Sequence, residues 1–119
     1  MNENIILEKS FDFAIRIVNL YKHLAYTKKE SVLSKQLLRC GTSIGANVSE
    51  AQRGQSIADF NAKMNIALKE ANETEYWISL LYETSFIDET QYNSLHKDID
   101  EIVFMLISIC KTTNENLKK

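Results

Sequence analysis

Proline is absent from the 119 residues, and glycine occurs three times, at Gly41, Gly45 and Gly54. So few turn-forming residues leave room for few turns, which favours a small number of long helices. Cysteine is nearly absent as well. Cys40 and Cys110 are too few for a disulfide framework and lack metal-like spacing. Each falls on an apolar helical face, where a free thiol acts as a small buried hydrophobe, and the compartment expected is the reducing cytoplasm. The longest apolar run, Ile102 to Ile107, is far short of the roughly 18 residues that a membrane span needs. The start, Met1-Asn2-Glu3-Asn4, has neither the basic opening nor the apolar stretch of a secretion signal. His23 and His96 are the sole imidazoles. A carboxylate-bridged metal centre in a helical bundle uses Glu-x-x-His, but Leu20 and Asn93 stand three residues before these histidines. Phosphate-cradling glycine loops and nucleophile elbows are missing too. The reading is therefore of a non-enzyme with no metal, no cofactor, no membrane span and no small-molecule substrate.

What is present is helical periodicity. The apolar share of 45% and charged share of 25% are those of a globular protein, and the length suits a single domain over 1–119. Leu7, Phe11, Ala14, Val18, Tyr21 and Ala25 recur at steps of three and four. So do Phe60, Met64, Ala67, Ala71, Thr74, Ile78 and Leu81, and again Tyr92, Leu95, Ile99, Ile102, Leu106 and Ile109. Stripes of this kind face a shared core. Thr27 with Glu30, Ser56 with Asp59, and Asp88 with Gln91 have the spacing of helix starts. Gly54 suits a left-handed stop. These marks place helices at about 8–25, 28–53, 57–83 and 89–113. Short connections make successive helices antiparallel, so the fold class is all-α, an up-down-up-down antiparallel four-helix bundle.

Apolar residues exceed what one bundle needs. Ile102 to Ile107 is apolar nearly all round its helix, and the first helix carries a second stripe of Phe13, Ile17, Leu20 and Leu24. A helix apolar all round is buried all round. The surplus points to an interface in a homo-oligomer.

The second helix is unusual in another way. Beside its core stripe of Leu33, Leu37, Cys40, Ile44, Val48 and Ala51 runs a polar one: Gln36, Arg39, Ser43, Asn47, Glu50 and Gly54. Amides and hydroxyls here replace the Lys and Glu of an ordinary solvent face, and Ser and Asn weaken a helix. Gly41, Gly45 and Ser49 form a row at steps of four, which lets another backbone approach closely. Three readings of the polar stripe stand, in this order. It organises the helix and its contacts, with Glu70, Glu73 or Glu75 supplying a partner for Arg39. It is a surface for a ligand or nucleic acid. Or it is catalytic, for which Ser43 lacks a base.

Charge is uneven along the chain. Residues 1–69 hold ten Lys and Arg against six acids, and residues 70–119 hold four against ten, within a net charge of −2. An acidic chain with a basic half can still present a local phosphate-binding surface.

The string Gln36-Leu37-Leu38-Arg39, then Ser43-Ile44, Asn47-Val48 and Glu50, resembles the bacterial four-helix bundle proteins of the 23S rRNA intervening-sequence family. Phe60, Ala67, Leu68 and Glu73 resemble its third-helix pattern. Two departures are Gly45, where the family often has proline, and Ala51, where it often has glycine. The resemblance implies a cytoplasmic bundle assembled as a homopentameric ring. It also implies a fold similar to the nucleic-acid-binding accessory protein of diversity-generating retroelements. In such a ring Lys28, Lys29, Lys35, Arg39 and Arg53 would contact phosphates of RNA or DNA, while Gln36, Arg39, Ser43, Asn47 and Glu50 would organise the helix. The alternative is an oligomeric scaffold whose partner is another protein, with no nucleic-acid role.

Overall fold

Four helices carry the chain in the computed structural model, which describes residues 3–118. Met1 and Asn2, part of the opening read above, lie outside them. The helices are α1 (Glu3–Lys22), α2 (Val32–Ala51), α3 (Ile57–Glu83) and α4 (Glu89–Leu117), with a π turn over His23–Thr27 continuing α1. Each packs antiparallel against the next, and α4 returns beside α1. The result is an all-α, up-down-up-down four-helix bundle of 50 × 21 × 20 Å. No described helix is long and apolar enough to cross a membrane.

Helix starts follow side-chain chemistry. Ser56 accepts a hydrogen bond from the Asp59 N–H, and Asp88 with Gln91 forms a reciprocal capping box. At α2 the expected pairing of Thr27 with Glu30 is replaced by something stronger. Thr27 ends the π turn, and the Glu30 carboxylate alone accepts from the N–H groups of Val32, Leu33 and Ser34, at 3.1, 2.9 and 2.8 Å. Three of the four orphan donors at that end are thereby satisfied by one side chain. Burial pushes the Glu30 carboxyl up, but those three backbone donors outweigh it and hold it below its ordinary value. A depressed carboxyl stabilises the fold above the unfolded-state value near 4.5 and loses that contribution as pH falls through the folded-state value. Glu30→Ala should therefore cost about 1–2 kcal/mol at neutral pH. Urea melts of both proteins should converge as pH falls through that folded-state value.

Helix stops need no glycine. Lys29 (φ 59°) and Ser85 (φ 68°) take the left-handed position, and the next residues close the turns: Glu30 N–H donates to Leu24 C=O and Phe86 N–H to Leu81 C=O, both at 2.9 Å. Gly54 is not left-handed. Its use is room, since a Cβ there would lie 3.2 Å from Ala51 O and Phe60 N as the chain doubles back into α3.

The expected core stripes of α2, α3 and α4 are the buried ones, centred on Leu37, Ile44 and Val48, on Met64, Ile78 and Leu81, and on Leu95, Ile99, Ile102 and Leu106. On α1 the two stripes exchange places. Phe13, Ile17 and Leu24, read as interface, are buried with Ile6, whereas Phe11, read as core, is 64% exposed. Both stripes have helical period, so α1 by itself does not choose between them; α2 does. Gly41 lies beneath Ile17, and Gly45 lies beneath the Ser10 carbonyl. That close approach turns the Ser10–Ile17 face inward.

The closing α1–α4 seam is lighter and bridged by ions. Lys9 pairs with Glu101 at 3.0 Å and Arg16 with Asp98 at 2.7 Å. The Lys9–Glu101 hydrogen bond raises the Lys9 ammonium and lowers the Glu101 carboxyl.

Candidate functional site

Turning α1 inward along Phe13 and Ile17 leaves its other apolar stripe facing out. Phe11 and Ile15 (49% exposed) stand proud, with Leu7, Ala14 and Val18 half-buried beside them. Against this stripe α2 presents only small side chains. Thr42, Gly45, Ala46 and Ser49 line the same groove as Phe11 and Ala14, so the groove is open to a helix or a large side chain. A second apolar patch lies on α4. There Ile102, Met105 and Leu106 are buried while Phe104 and Ile107 project outward, 71% and 51% exposed. Exposed aromatic and aliphatic side chains in contiguous patches mark interaction surfaces.

The polar stripe of α2 forms a seam with α3. Arg39 donates to Glu70 at 3.1 Å and to Glu73, and Glu73 also accepts from the Trp77 indole N–H at 3.0 Å. Three turns along, Glu50 pairs with Lys63 at 2.9 Å. Between them the Asn47 amide donates to the Ser43 carbonyl and hydroxyl at 2.9 and 3.0 Å. Gln36 and Glu50 are exposed, and Ser43 and Asn47 half-buried. Exposed ion pairs are worth about 1 kcal/mol or less each. Their use is register, tying α2 to α3 at two heights. A hydroxyl whose partner is an amide has no base to take its proton, so Ser43 is not set up as a nucleophile.

The five basic residues do not form one patch. Lys28 and Lys29 occupy the α1–α2 turn and Lys35 the first turn of α2, all exposed at one end of the bundle. Arg53 follows the far end of α2, about 27 Å from Lys35 at 1.5 Å per residue. Arg39 is already held by two carboxylates. Lys28 shares a groove with Asp88 and Glu89, which lowers the local field.

Both cysteines are free and buried, and burial raises each thiol. Neither carries the thiolate that nucleophilic chemistry needs. One cluster joins residues of two helices: Glu75 of α3 meets His96 and Asp100 of α4. Burial, and then the neighbouring Asp100 carboxylate, push the Glu75 carboxyl up, while His96 opposes them. Within α4 the only sequence signal was the four-residue step from His96 to Asp100. The outward Phe11–Ile15 patch carried no signal that set it apart from core.

A family model described as 23S rRNA-intervening sequence protein matches residues 2–108. Among solved structures, the chain is similar to a protein of unknown function from the S23 ribosomal protein family of Bacteroides thetaiotaomicron VPI-5482, seen in a 1.70 Å crystal structure. The two are 58% identical, the match covers 93% of this chain and 99% of that one, and the TM-score is 0.91. No curated protein matches.

Proposed function

Because the chain belongs to the 23S rRNA-intervening sequence protein family, we propose that it is a non-enzymatic subunit of a cytoplasmic homo-oligomer, a pentameric ring, that binds structured RNA through a basic rim. The observation that carries this reading is the pair of unlike apolar patches. Phe104 and Ile107 of one subunit would seat in the Phe11–Gly45 groove of the next. A contact between two different surfaces is heterologous, and such contacts form a ring where the rotation between subunits closes and an open filament where it does not. Ring closure would bring Lys28, Lys29 and Lys35 together once per subunit, which strengthens a field that one chain makes only weakly.

Nucleic-acid binding of this kind depends on salt. Three phosphates neutralised by one subunit correspond to about a 20- to 40-fold loss of affinity between 50 and 200 mM salt, and each further subunit on the same RNA steepens that loss. Reversing all three lysines to glutamate should abolish binding to a structured RNA while leaving the oligomer mass unchanged. Filter binding across a salt series checks both. An affinity that is flat in salt, or indifferent to the reversal, overturns the RNA reading. It would leave the protein scaffold, which Asp88 and Glu89 beside Lys28 and the carboxylates around Arg39 favour.

A further inference from the structure

We infer that Glu75, His96 and Asp100 form a binding site for a divalent transition metal of the zinc class, clipping α3 to α4. His96 and Asp100 stand one turn apart on α4 and so share a face. That face meets Glu75 on the antiparallel α3. The His96 ring is placed between two carboxylates: Nδ1 lies 3.1 Å from Asp100 Oδ2, and Nε2 lies 3.5 Å from Glu75 Oε2.

A neutral imidazole has a single N–H. When one carboxylate receives it, the other ring nitrogen turns a lone pair toward the remaining carboxylate. That lone pair and that carboxylate repel each other, a cation between them satisfies both, and a donor atom of the third residue lies within 4.8 Å. The spacing suits one. Ligands about 2.1 Å from a tetrahedral metal are about 3.4 Å apart. The 3.5 Å between His96 Nε2 and Glu75 Oε2 is close to that edge, and one donor atom from each residue lies within 4.8 Å of the others. One ring nitrogen would ligate, and the carboxylates would close by small rotations of partly exposed side chains. Water would complete the shell.

The donor set selects the metal class. One imidazole with two carboxylates suits zinc, nickel or cobalt better than magnesium, which prefers all-oxygen octahedra. Joining residues from two helices makes the site stabilising, because the unfolded chain does not bring Glu75 to His96. A metal that binds only the native state raises stability as its concentration passes the Kd. This inference is independent of the oligomer and of RNA.

The test uses zinc chloride alone, added to full-length protein treated with a chelator. Calorimetric titration should show one zinc per chain, with the melting midpoint rising as the site fills. His96→Gln should weaken affinity at least tenfold and remove the rise, and Glu75→Gln and Asp100→Asn should each weaken it. His23→Ala, at the other imidazole in the π turn, should leave binding intact. Cobalt in place of zinc should give visible absorption that is lost in His96→Gln. The fold of each variant is read from its helical circular dichroism. The inference is overturned if no saturable binding occurs, if His96→Gln binds as the parent does, or if His23→Ala loses as much.

Discussion

Replacing Phe11 and Ile15 together by aspartate should turn the proposed oligomer into folded monomers. Both side chains are about half exposed or more, so the bundle loses little by their removal, and the melting midpoint should stay within a few degrees. At an interface the balance reverses. Burying a Phe or Ile side chain is worth about 1.5–3 kcal/mol. Losing two of them while introducing two charges should raise the subunit dissociation constant about a thousandfold or more. The α4 double variant, Phe104→Asp with Ile107→Asp, should do the same if the contact is heterologous. Mixing the two variants then provides a sharper check, because each retains the patch the other lacks. The mixture should yield a two-chain species and nothing larger, read as a mass by light scattering. A groove that pairs with itself would instead leave the α4 variant assembled.

The second large effect concerns the row of small residues. A Cβ at Gly41 would sit 3.0 Å from both Cγ atoms of the fully buried Ile17, and one at Gly45 would sit 3.2 Å from the Ser10 carbonyl oxygen. At Gly41 the obstacle is a side chain locked in a close-packed core. At Gly45 it is backbone, so α1 itself must move. Overpacking a core costs about 1–3 kcal/mol, and a branched side chain at either site drives more atoms into the same space. Gly41→Val and Gly45→Val should each lower stability by about 3 kcal/mol or more, measured by urea unfolding. Alanine should do much less at Gly41, because gaining about 1 kcal/mol of helix propensity offsets part of the clash. Equal effects of Ala and Val would mean that the α1–α2 approach is looser than these distances state.

The second and third helices could be oriented from sequence because each has one apolar stripe, and the fourth because a single stripe, Leu95 to Ile109, continues beyond the all-round apolar run of Ile102 to Ile107. The first helix could not. Two stripes about 120° apart had equal claim, and the choice depends on glycines in another helix. The Arg39 partner was legible as a set of three acids, of which Glu70 and Glu73 are the ones engaged. The π turn was not, since nothing in His23–Thr27 distinguishes a widened turn from an ordinary one. Glu30 was recognised as a capping residue but given a partner it does not use, because spacing records which groups are near and not which donors point at them. The Glu75–His96–Asp100 cluster lay beyond a scan along one helix, since its members meet only when α3 and α4 pack.

The central proposal is that the outward apolar surface of α1 and α4 lies between subunits. The most direct test is the mass of the untreated protein by light scattering, with the ratio of absorbance at nucleic-acid and protein wavelengths recorded before and after a high-salt wash. The account predicts a species of about five chains, carrying nucleic acid that salt removes. A single chain of 13.7 kDa at all concentrations would contradict it.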